Sequence, residues 1–195
     1  MKTRALITGM VVVSASMASA SLTNYTDESI WASDAGTYST VDFVAVPVGA
    51  IDAYYAGQGV TFEADDEAVE LAFTFVDSKG AYSASNGLVV SFATPQYWVG
   101  TTFPGGNRFS LYSGTTLVGV SDDFGGTGGG HFGGVWSTQS FDKVVIDDWF
   151  DLQTGQNNVY IDNLYFSDSP APVPEPASMV ALGLGAVALV RRRRK

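Results

Sequence analysis

The sequence predicts an all-β domain, an antiparallel β-sandwich or jelly roll, set between two apolar end segments. Three observations predict it. Apolar side chains alternate with polar or small ones in several short runs, which is the period of a half-buried strand. Turn residues are frequent, with 22 Gly and 7 Pro in 195 residues, while aromatics reach 13% and charged residues only 15%. No stretch outside the two ends keeps a helical period. The chain has no Cys, which excludes a disulfide framework, a thiolate zinc site and a Cys nucleophile. A domain of about 150 residues buries an adequate core without them.

The strands follow in order. Val41 to Val46 and Gly59 to Glu63 are two early ones, separated by the turn-rich Pro47-Val48-Gly49. Val69, Leu71, Phe73 and Phe75 alternate with polar or small residues, and Leu88, Val90 and Phe92 repeat the pattern within Leu88 to Ala93. Arg108 to Tyr112 and Thr115 to Val120 flank Ser113-Gly114, which reads as a hairpin. Phe141 to Asp147 and Val159 to Phe166 complete the set. About eight to ten short strands with Gly and Pro turns suit a sandwich or jelly roll. Gly125 to Gly134 (GGTGGGHFGG) reads as a surface loop, because glycine gains most from remaining unfolded. Its match to a dinucleotide fingerprint has no βαβ unit around it, and His131 within it has no partner constellation, so neither receives a role.

Charge is segregated along the chain. The whole sequence carries a formal −10, but Lys2, Arg4 and the closing basic cluster lie at the two ends. Between residues 21 and 170 three basic side chains face nineteen acidic ones, a formal −16. That balance excludes nucleic acid as a partner, since phosphate binding rests on clustered Lys and Arg.

The two ends speak of export. Lys2 and Arg4 precede the short apolar Ala5 to Val13, and Ala18-Ser19-Ala20 fits the small-residue cleavage rule. Residues 1–20 therefore read as a signal peptide, handled by the Sec translocon and signal peptidase, with the mature chain starting at Ser21. Residues 21–169 are the β domain. Residues 170–195 combine a Pro-rich linker, the apolar run Ala177 to Val190, and the basic stop Arg191, Arg192, Arg193, Arg194 and Lys195. A basic cluster directly after an apolar segment stays on the cytoplasmic side, which leaves the domain outside. The run is short for a full span and needs snorkelling arginines or local thinning.

Val173-Pro174-Glu175-Pro176-Ala177-Ser178, the apolar run and the arginine tail, in that order, resemble the PEP-CTERM sorting signal of Gram-negative bacteria. The resemblance implies handling by an exosortase, a membrane-embedded, Cys-dependent transpeptidase-like enzyme. It implies processing near the motif, a transient stay in the inner membrane, and delivery to the cell surface or an extracellular matrix of exopolysaccharide, as in a biofilm. The middle of the chain is similar to the jelly-roll-like domains often found ahead of this signal, chiefly in the closing Tyr160-Ile161-Asp162-Asn163-Leu164-Tyr165-Phe166.

Chemistry is sparser. Ca²⁺ takes six to eight oxygens from carboxylates, amides and carbonyls. The favoured set is Asp162 and Asn163 with Asp147 or Asp148, although no EF-hand pattern is present. The further acidic groups Asp65-Asp66-Glu67 and Asp122-Asp123 read as solvated surface. Sugar rings have apolar faces that stack on exposed aromatics. Trp149, beside Asp147-Asp148 and Phe150-Asp151, is the first candidate for that role, with Trp98 and Trp136 behind it. No nucleophile elbow exists, and paired acids among nineteen discriminate nothing. The expectation is an exported, non-catalytic surface or matrix protein that binds carbohydrate or Ca²⁺. An extracellular polysaccharide hydrolase and a purely structural matrix protein are the alternatives.

Overall fold

The structure, a computed structural model, describes residues 20–63, 67–70, 79–83, 87–149 and 158–170, with backbone alone at 67–70. The signal-peptide core, Phe73, Phe75, Asp65, Asp66, Phe150, Asp151, the linker from residue 171 and the sorting segment lie outside the described residues.

The expected all-β class is what folds. Thirteen strands form among the described residues: β1 (Leu22–Tyr25), β2 (Ser39–Val41), β3 (Gly49–Ala50), β4 (Val60–Phe62), β5 (Glu67–Glu70), β6 (Lys79–Ser83), β7 (Leu88–Phe103), β8 (Gly106–Ser113), β9 (Thr116–Val120), β10 (Phe124–Gly125), β11 (His131–Asp147), β12 (Val159–Ile161) and β13 (Asn163–Ser167). Every described pairing is antiparallel. The central path is β10-β8-β11-β7-β13-β2, with β1 on β11, β4 on β7 and β9 on β8. A second sheet has the order β12-β6-β5-β3.

Register shows how one large sheet makes a sandwich. The 17 residues of β11 would run about 55 Å if straight. Yet His131 at its start pairs with Phe103, and Asp147 at its end pairs with Arg108. Phe103 and Arg108 are five residues apart, a reach of at most about 18 Å. The strand must therefore fold back over itself. The bend lies where register breaks, between Trp136 and Lys143, and β7 bends with it between Ser91 and Trp98. Each long strand gives one arm to each layer. Between the layers lies a single apolar core that includes Val90, Val99, Phe103, Phe109, Leu111, Val135, Val144 and Ile146. Ala81, Val159 and Ile161 bring the smaller sheet into the same core.

Folding the sheet back gives the domain two distinct ends. At one, Thr23, Trp136, Trp98 and Ser167 stand side by side across β1, β11, β7 and β13. The chain thus enters and leaves the sheet together, at what we term the terminus end. Ser21 is fastened there by its amide to Thr138 Oγ1 at 3.0 Å. The opposite end, the loop end, holds the 104–105 turn, the 126–130 loop, residues 147–149 and the Asp162 crossover.

Three expectations require correction. A helix, α1 (Glu28–Ala35), forms within the domain. Asp27 caps it by accepting from the Ser29 and Ile30 amides, and Gly36 closes it. These hydrogen bonds, first that from the Ser29 hydroxyl, hold the Asp27 carboxyl below the usual range. The helix is too short for its period to stand out, and it is kept by Trp31 and Ala35 packing on the sheet. Second, the glycine-rich segment is not one loop: Phe124–Gly125 and His131–Gly134 are paired strand. A Cβ on Gly133 would lie 2.6 Å from Phe124 Cγ, and one on Gly134 would lie 2.6 Å from Trp31 Cδ1. Glycine here admits aromatic rings to both faces of β11. Third, the early strand is only Ser39–Val41; Phe43 and Val46 leave the ladder and are buried from a turn.

Tyr55 shows a cost inside the core. Its hydroxyl is buried and has no hydrogen-bond partner. Burial, then the charge of Asp42, pushes its pKa up from 10.0 to about 12. Between those values an unfolded chain gives up the phenolic proton and the folded one keeps it. Stability present below pH 10 is therefore lost as pH rises toward 12. Tyr25 and Tyr165 are raised in the same way. Tyr55→Phe should leave stability at pH 7 unchanged or higher and move the alkaline unfolding midpoint upward. Thermal melts of both proteins from pH 7 to 12 check this, and a lower midpoint would refute it.

Candidate functional site

The loop end collects most of the residues singled out in the sequence. The 104–105 turn and the glycine loop hold one another: the Gly105 amide donates to Gly128 O at 2.8 Å, and the Gly126 amide donates to Gly105 O at 3.0 Å. Trp149 follows the end of β11. Its indole N–H donates to Phe124 O at 2.7 Å, and its ring lies over Gly106, where a Cβ would collide with it. The ring is half-buried at the rim. Sequence adjacency alone does not place it there; the missing Cβ of Gly106 does.

The acids lie at the same end of the domain as this ring. The Asp147 carboxylate lies against Gly87, 2.7 Å from where its Cβ would be, and Asp148 reaches toward Gly105. Successive residues leaving a strand point apart. Asp162 sits at the crossover between the two sheets; its amide donates to Thr102 O at 2.7 Å, and its carboxylate accepts from Asn163 Nδ2 at 3.2 Å. Among the described residues no three His, Cys, Asp or Glu side chains come close enough to hold a metal ion. The set Asp147, Asp148, Asp162 and Asn163 shares an end of the domain. Arg108 pairs with Asp123 at 3.6 Å, both side chains partly exposed, so the pair contributes little stability.

Trp98 and Trp136 lie elsewhere. Trp98 is 0% exposed. It packs with Tyr25, Trp31, Phe132 and Tyr165 in a second aromatic cluster on the outer face of the sheet, beneath α1. A ring with no exposed face offers no platform to a sugar, so Trp98 is a core residue. Trp136 is part-buried against it, ring centroids 5.9 Å apart. Both stand at the terminus end, remote from Trp149.

Three features escaped sequence reasoning. Tyr82 and Tyr160 pair across β6 and β12, their rings stacked 4.6 Å apart at 26°. Each is the part-exposed position between buried neighbours, but only the register brings them together. Asn107 is 1% exposed, and neither atom of its amide has a partner. It shares an inward face with Phe109 and Leu111 at the loop end. An unsatisfied buried polar group costs about 1–3 kcal/mol, so this end is less well stabilised than the apolar centre. Thr101 Oγ1 and His131 Nε2 are likewise buried and unpartnered.

The described residues define a class: a Cys-free β-sandwich whose chain leaves at one end into a C-terminal sorting segment. Residues 172–195 match the PEP-CTERM protein-sorting motif. The chain therefore carries the signal of an exosortase-sorted extracellular protein, with a membrane-anchored precursor. No curated protein and no solved structure matches it. Among the described residues no helix is long and apolar enough to cross a membrane; the apolar run at 177–190 lies outside them.

Proposed function

We propose that the domain is a non-catalytic module that binds neutral glycan at its loop end and is delivered by exosortase sorting to the cell surface or an exopolysaccharide matrix. Trp149 carries the reading. An indole held over a glycine backbone, with its N–H already engaged, presents a fixed apolar surface of the kind that sugar faces stack on. Asp148, which reaches toward Gly105, and Asp162 and Asn163, at the same end of the domain, are the polar groups assigned to hydroxyls in this reading. The formal −16 of the domain disfavours anionic polysaccharide and leaves neutral glycan as the fitting class.

Affinity gel electrophoresis of residues 21–169 over a panel of neutral and anionic polysaccharides tests this. A neutral glycan should retard the domain, and Trp149→Ala should abolish at least about tenfold of that affinity. Retardation lost in Tyr82→Ala or Tyr160→Ala instead would move the site to the smaller sheet. A requirement for added Ca²⁺ would reassign the loop end to a metal. Release of reducing sugar that depends on one carboxylate would make the protein a hydrolase. No retardation on any glycan would leave a structural matrix protein.

A further inference from the structure

We propose that the sorting precursor is held with its terminus end against the membrane and its acidic loop end outward, and that the exit clamp at Trp98 sets the stand-off. The inference rests on the sorting reading and adds to it an orientation that the motif alone does not contain. The folded chain stops at a defined point. The Trp98 indole N–H donates to Ser169 O at 2.8 Å, the Ser169 amide donates to Ser167 Oγ at 3.3 Å, and the Ser167 hydroxyl donates to Thr37 O at 2.7 Å. The last described residues are thus tied to the buried aromatic cluster and to the segment after α1.

From Ser169 to Pro174 is five residues, a reach of at most about 18 Å. A domain of about 150 residues is roughly 40 Å across. The tether to the motif is shorter than the body it holds, so the domain cannot turn over, loop end toward the bilayer and terminus end outward, while the motif is engaged there. The N-terminal strand enters at the same end, so it does not oppose this arrangement.

Charge agrees with the geometry. Asp123, Asp147, Asp148 and Asp162 lie toward the loop end, with Arg108 the basic residue among them and paired with Asp123. The bends and turn at the terminus end, Ala93 to Tyr97, Ser137 to Ser140 and Ser113 to Thr115, are uncharged and rich in Ser, Thr and Gln. The described acids near it include Asp168, Asp142 and Asp34; the Asp34 carboxylate accepts from the hydroxyl of Tyr25, which packs on Trp98, and the Asp142 carboxylate accepts from the Gly114 amide at 2.9 Å with Lys143 next to it in the chain. An anionic lipid surface repels carboxylates within about a Debye length. The orientation set by the tether therefore keeps the carboxylates of the loop end away from that surface.

The absence of native Cys makes the test direct. Thr115 in the β8–β9 turn and Thr127 in the glycine loop are both exposed. Thr115→Cys and Thr127→Cys are each made in the full chain and expressed in cells lacking the exosortase. After fractionation, the membrane-held precursor is treated with a bulky polyethylene-glycol maleimide, with the soluble domain, residues 21–169, as reference. Thr127→Cys should react at the reference rate and Thr115→Cys several-fold slower. Inserting a Gly/Ser spacer between Pro170 and Ala171 should restore the Thr115→Cys rate. Equal rates at both positions, or protection of Thr127→Cys, would overturn the orientation. Precursor found in the soluble fraction would overturn the sorting reading and the orientation with it.

Discussion

Replacing Pro174-Glu175-Pro176 by three alanines should leave the protein as an unprocessed precursor in the inner-membrane fraction, with the surface and medium forms lost. The apolar run and the arginine tail remain, so retention in the membrane is preserved. What disappears is the Pro-Glu-Pro sequence within the matched sorting motif. Each Pro fixes its own backbone and drives the preceding residue away from helix. Alanine, the best helix former, imposes neither constraint. Immunoblots of fractionated cells check the outcome: one larger species in membranes for the variant, a smaller external species for the parent. Normal maturation of the variant would show that the motif is not what the enzyme reads. The domain fold should be untouched, because the substitutions leave every residue of its described sheets and core unchanged.

Trp31→Ala should be the most damaging single change inside the domain, costing about 3–5 kcal/mol. Trp31 is fully buried. Its ring meets Trp98 at 6.0 Å, Phe132 at 6.1 Å, Tyr165 at 6.0 Å and Tyr38 at 5.4 Å. It fills the space above Gly100 and Gly134, where the sheet has no side chain of its own. Removing it leaves a void bounded by glycine backbone, which a sheet paired on both sides cannot close. It also removes the main attachment of α1, a helix too short to persist unaided. At this size the loss corresponds to a fall in melting temperature of about 10 °C or more. Calorimetry checks it, with Trp31→Phe expected to lose less. A loss below about 1 kcal/mol in the alanine variant would mean that α1 is held by something other than this ring.

The fold was legible wherever the signal was local. Alternation along Leu88 to Phe92 and the Ser113-Gly114 turn both appear as strand and hairpin at the expected places. Signals that depend on a partner were not legible. Gly133 and Gly134 resemble loop by composition, and they are strand because Phe124 and Trp31 press on them from opposite faces. Asp27 and Gly36 bracket α1 with a proper cap and stop, but an eight-residue helix does not announce a period. The candidate site divides in the same way. Trp149 was identified as the aromatic to test from its acidic neighbours, whereas Trp98 shared its composition signal and proved to be core. The Tyr82–Tyr160 pair depended on register between strands about eighty residues apart.

The sequence by itself determined the class of domain, its Cys-free acidic character and the sorting segment at residues 172–195. These are carried by period, charge and contiguous motif, which survive without a fold. Only the tertiary structure decided that β7 and β11 bend back to build both layers. That bend places the two chain ends together and sets the acidic, glycine-rich loops at the far end. Such placement follows from which strands share hydrogen bonds, and that choice is made by long-range burial of one common core rather than by any local stretch of residues.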